Sequence, residues 1–208
     1  MLLATGEARF AEVMEREMYN GFLSGISLDG IHFFYTNPLR WYGRQHTLMS
    51  NDKLLRHEIG RTSHICCPTN VLRTLVEMQG YFYGVRGGDI WIHQYGGSIF
   101  DNGRFKLRQE TNYPWDGIVR IMIDKAPRGC AVNLRIPAWA DGASILVNGQ
   151  PVDTEVRAGT YASVAREWLA GDEIMLRLPM RVRLMVAHPR VEETRNQVAI
   201  MRGPIVYC

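Results

Sequence analysis

The feature that most constrains the fold is a single change of hydrophobic period near Gly87–Gly88. Before it, Phe10, Val13, Met14, Met18 and Phe22 recur at spacings of three and four. That spacing places them on one helical face. Val71, Leu72, Leu75, Val76, Met78, Gln79 and Phe82 repeat the pattern and predict a second helix ending near Gly84. After it the period is two. Asp89–Tyr95 reads as a strand, and 104–111, 118–123, 131–136, 144–147, 161–165, 173–178, 181–186 and 197–201 follow at short intervals. Asn148–Gly149 between two of them is a strong hairpin turn. Many short strands with regular turn signals predict a β-sandwich. Two helices cannot enclose a core of their own, and the chain stops inside an apolar strand pattern, Gly203–Cys208. It therefore reads as an interior piece of a longer polypeptide.

Charge and composition exclude some classes. A net charge of +3 with dispersed basic residues argues against nucleic acid as a partner. No apolar run is long enough for a membrane span. Met1–Ala4 lacks a charged leader region and a cleavage site, so the default compartment is the cytoplasm. The four cysteines are Cys66, Cys67, Cys130 and Cys208, and their spacing is not a disulfide framework. Cys130 sits in a strand pattern and reads as packing.

Cys66-Cys67-Pro68 is different. A proline suits the first helical turn, where its missing N–H costs nothing. Both thiols then lie at a helix N-terminus, whose partial positive charge favours thiolate. A thiolate is both a nucleophile and a metal ligand. The bland alternative is a buried or oxidised pair. His64, two residues before the pair, and His57 are further ligand candidates, though such histidines are more often loop residues. Trp91, Tyr95 and Trp139 could form a sugar-stacking platform, but period-two placement favours core.

Several blocks resemble one family. These are Glu12–Gly21, Gly25–Gly30, the Phe-Phe-Tyr-x-Asn-Pro run Phe33–Pro38, and Cys66–Arg73. Ile90–Tyr95, Leu134–Trp139, Val147–Gly149 and Arg202–Pro204 continue the likeness over essentially the whole chain. They resemble glycoside hydrolase family 127, whose type activity is β-L-arabinofuranosidase. The block around the paired cysteines is the specific one. Thr62-Ser63-His64 stand where the family often has aromatic residues.

The resemblance implies an α+β multidomain fold: the last helices of an (α/α)6 barrel followed by an antiparallel β-sandwich. Residues 1–86 would be the incomplete catalytic barrel and 87–208 the sandwich. It also implies zinc held by a glutamate and three cysteines. Cys66 would be nucleophile and zinc ligand, and Cys67 zinc ligand. Tyr35 and Glu15 would contact substrate. The remaining ligands and the acid that protonates the leaving group would lie upstream, so the isolated chain is expected to be inactive. The partner is a carbohydrate, with a homodimer left open. The rival readings are a non-catalytic β-sandwich that binds carbohydrate or forms an interface, and a zinc site that is only structural.

Overall fold

The computed structural model describes residues 1–34, 56–58 and 66–207. Three α-helices come first: α1 (Leu2–Thr5), α2 (Ala8–Arg16) and α3 (Cys66–Met78). The short strands β1 (His32–Phe34) and β2 (Arg56–Glu58) pair between α2 and α3. Then follow β3 (Tyr83–Arg86), β4 (Asp89–Ile92), β5 (Ser98–Asp101), β6 (Lys106–Thr111), β7 (Ile118–Lys125) and β8 (Ala131–Ile136). The last strands are β9 (Ser144–Val147), β10 (Gln150–Pro151), β11 (Thr160–Ala165), β12 (Asp172–Arg177), β13 (Val182–Met185), β14 (Ala199–Arg202) and β15 (Ile205–Tyr207). The protein is thus a mixed α+β chain with few helices and several sheets.

Two sheets share one core. The six-stranded sheet runs β10-β9-β12-β7-β6-β5 and the four-stranded sheet β11-β8-β4-β3. Ile90, Ile92, Val132 and Leu134 of the smaller sheet join Leu107, Val119, Ile121, Ile174 and Leu176 of the larger in a single buried cluster. The alternation of these side chains along each strand is what the period of two encodes. β13, β14 and β15 form a separate three-stranded sheet. The β9–β10 hairpin turns at Asn148 (φ 50°) and Gly149 (φ 78°), the left-handed pair that its sequence demands.

Three sequence expectations change. The smaller sheet is not purely antiparallel, because β4 and β8 pair in parallel, Ile90 opposite Val132 and Ile92 opposite Leu134. The helix expected to run to about Gly84 stops at Met78; a single 3-10 turn follows, and Tyr83–Arg86 is already a strand. Pairing with β4, Tyr83 opposite Ile92, overrides the local pattern there. The first helix buries Ala8, Ala11 and Glu15 rather than its large apolar residues. After Arg16 the helix widens into a π-helical turn, Glu17–Phe22.

All six residues of β8 are buried. Val132, Leu134 and Ile136 face the shared core. On the opposite face Arg135 meets Glu15 of α2, a helix that also buries its small Ala8 and Ala11. The aromatic candidates divide as core residues do. Tyr95 and Trp139 are buried in the cluster, and Trp91 is half-buried edge-on to Tyr161.

Candidate functional site

α3 opens on Cys66 and Cys67, with Pro68 in its first turn. The pair therefore stands where the sequence put it, at the start of a helix. Tyr35 and His64 lie outside the described residues. His57 is the middle residue of β2. Among the described residues no group of three His, Cys, Asp or Glu side chains could hold a metal ion. The side chains of Cys66 and Cys67 are outside that description.

Glu15 is 1% exposed. Its Oε1 accepts from Arg135 Nη2 on β8 at 2.6 Å and from the Tyr113 hydroxyl at 2.5 Å. Tyr113 lies in the connection between β6 and β7. Burial, with the Glu15 charge next to it, raises the Tyr113 phenol well above its ordinary range. Burial works against the Arg135 charge, but Glu15, Tyr113 and Tyr95 outweigh it and keep the guanidinium protonated. Glu15 thus ties α2 to the sheets and presents no open face to solvent.

The rest of the seam is also polar. Arg135 Nε donates to the His93 carbonyl at 2.5 Å, and the Tyr95 hydroxyl donates to the Arg135 carbonyl. Gln94 Nε2 donates to the Ala11 carbonyl at 2.8 Å. Asn20, in the π-helical turn, donates to the Pro204 carbonyl and accepts from the Val206 N–H, both at 2.8 Å. His93 Nδ1 meets the Tyr161 hydroxyl at 2.6 Å. Burial, with help from the Arg135 charge, pushes the His93 imidazole down to about 4. Sequence reasoning passed over Arg135, Tyr113, Gln94 and Asn20. For Arg135 the sequence carried no signal, because it alternates with Leu134 and Ile136 as an outward polar residue does.

A cleft of about 200 Å³ separates the α2 side from α3. Met14, Met18 and Phe22 form one wall, Thr74, Met78 and Tyr81 the other, and Gln94 also lines it. Of the apolar stripe read from the first helix, Met14, Met18 and Phe22 face this space, while Val13 is exposed.

Comparison with known proteins follows the same order along the chain. Residues 1–80 match the family described as "Beta-L-arabinofuranosidase, GH127 catalytic domain". Residues 89–180 match the "GH127 middle domain", and 182–208 the "Glycoside hydrolase family 127 C-terminal domain". The chain belongs to glycoside hydrolase family 127. A relative from Bifidobacterium longum, named non-reducing end beta-L-arabinofuranosidase, is 33% identical over 221 residues; the match takes in 100% of this chain and 33% of that protein. A solved structure named glycoside hydrolase is 43% identical, with a TM-score of 0.89, covering 100% of this chain and 35% of that one. The crystal structure of a GH127 beta-L-arabinofuranosidase from Geobacillus stearothermophilus is 37% identical, with a TM-score of 0.84, and the chain covers 34% of it. The chain therefore spans about a third of the length of the relatives it matches. Among the described residues no helix is long and apolar enough to cross a membrane.

Proposed function

We propose that this chain is the nucleophile-bearing part of a retaining glycoside hydrolase that releases L-arabinofuranose-type sugars. The observation that carries the reading is α3 opening on Cys66-Cys67-Pro68 in a chain matched along its whole length by GH127 enzymes. In this reading α2 and α3 are the last helices of an (α/α)6 barrel, and the two sheets that share a core are the β-sandwich behind it.

The chemistry is double displacement with sulfur in the place of the usual carboxylate. The Cys66 thiolate attacks the anomeric carbon while the bond to the leaving oxygen breaks. That oxygen takes its proton from a carboxylic acid outside the residues assigned here. Water then hydrolyses the thioglycoside, returning Cys66 as thiolate. Two adjacent thiols from one stretch of backbone suit half of a tetrahedral zinc site, so Cys66 and Cys67 would hold the metal. Zinc, when bound, keeps both thiols deprotonated. Tyr35 is assigned to substrate contact, and Glu15 to holding α2. The isolated chain, with half of a ligand set and no assigned acid, would be inactive.

The test is turnover of an aryl β-L-arabinofuranoside by the full-length enzyme carrying Cys66→Ser. A loss of roughly 10³-fold or more in kcat is expected for removal of a nucleophile. Retention of wild-type turnover would overturn the assignment.

A further inference from the structure

The dipeptide His93–Gln94, just past the end of β4, is bonded to α2 and to Phe82, four residues beyond the end of α3. Its two backbone N–H groups donate to the Phe82 carbonyl, at 2.8 and 3.3 Å, between the 3-10 turn that follows α3 and the start of β3. The Gln94 side chain donates to the Ala11 carbonyl of α2 at 2.8 Å. The His93 carbonyl accepts from Arg135, which holds Glu15 of the same helix. Gln109 Nε2 in turn holds the Gln94 carbonyl at 3.2 Å. Gln94 is 3% exposed and lines the cleft between the helices.

Its Oε1 is buried and has no hydrogen-bond partner among the described residues. Leaving such an atom unpaired is costly. An apolar side chain of similar size would fill the space without that cost, so stability alone does not account for an amide here. What the amide adds is the bond to Ala11, a fixed distance between α2 and the strand extension that holds Phe82 beyond α3 and lines the cleft with Thr74 and Met78.

We propose that Gln94 is a positioning residue: it sets the separation of α2 and α3 and, through α3, the placement of Cys66. The inference rests on the catalytic reading of Cys66 given above.

The experiment is Gln94→Leu in the full-length enzyme, beside Ile174→Val in the β12 core as a control that lowers stability without touching either helix. Kinetics and amide hydrogen exchange of the α3 peptide are measured for both. Gln94→Leu should lower kcat roughly tenfold or more with little change in KM, because a small misplacement of a reacting group is costly. It should also raise exchange in α3, while Ile174→Val leaves both readings at wild type. If Gln94→Leu matches the control in both, the residue is merely structural and the proposal is overturned. Gln94→Asn keeps the amide but shortens its reach, and serves with the same expected signs should Gln94→Leu not fold. Should the wild type show no glycosidase activity, the catalytic reading fails, and hydrogen exchange alone decides whether Gln94 holds α3.

Discussion

Glu15 on α2 and Arg135 on β8 form an ion pair 2.6 Å long whose side chains are 1% and 0% exposed. The residues are 120 positions apart in sequence. Taking two charges out of water is expensive, and the pair is tolerable because Tyr113 and the His93 carbonyl take up further hydrogen bonds. Removing one partner strands the other. Arg135→Met should cost about 3–5 kcal/mol in chemical unfolding of the full-length enzyme. Adding Glu15→Gln to it should recover part of that loss. A double variant no better than the single would mean that the pair does not behave as a unit.

His93 gives a pH signature. Its ordinary value is 6.5 and the folded value is about 4, set first by burial and then by the Arg135 charge. Below 6.5 the unfolded chain binds a proton that the folded chain refuses. Stability from this group is therefore full above 6.5, falls as pH drops toward 4, and is level below that. The slope between is about 1.4 kcal/mol per pH unit. His93→Gln, which keeps a polar group facing Tyr161, should remove that slope from unfolding curves taken between pH 4 and 8. An unchanged slope would assign the pH dependence to other groups.

Gly117 and Gly97 make a contrasting pair. A Cβ on Gly117 would lie 1.9 Å from the Leu178 carbonyl oxygen, while one on Gly97 meets nothing within 4 Å. The Leu178 N–H also donates to the Gly117 carbonyl at 2.8 Å, which pins the two segments together. Gly117→Ala should cost about 1–3 kcal/mol or more, as overpacking does. Gly97→Ala should be neutral or stabilise by about 0.4–1 kcal/mol, through the unfolded chain. Thermal melts of both variants check the pair; equal shifts would contradict the close approach at Gly117.

Local signals in the sequence were legible, and long-range pairing was not. Asn148–Gly149 demanded a left-handed turn and makes one. Pro68 placed Cys66 and Cys67 at a helix start, and α3 begins there. Strand periodicity carries no direction, so the parallel β4–β8 pair could not be read from it. Tyr83–Arg86 follows a helical pattern locally and becomes a strand only because β4 is beside it. On α2 the large apolar residues drew attention, yet the small Ala8 and Ala11 dock the helix. Arg135 reads as an outward polar residue of an alternating strand until a carboxylate from α2 covers it. The same holds for Gln94, whose partner is a backbone carbonyl that side-chain patterning cannot reveal.

The cysteine pair gives the last prediction. If both thiols hold zinc, each supplies a ligand, but only Cys66 supplies the nucleophile. Cys67→Ser replaces a soft sulfur donor with a hydroxyl that stays protonated near neutral pH and binds zinc weakly. The full-length variant should therefore retain less than stoichiometric zinc by elemental analysis after dialysis. Turnover should fall with the metal, because the Cys66 thiol then returns toward its ordinary value of about 8.5 and is mostly protonated at neutral pH. Raising the pH of the assay should restore part of the rate in Cys67→Ser and none in Cys66→Ser. Full zinc occupancy in Cys67→Ser would remove Cys67 from the ligand set.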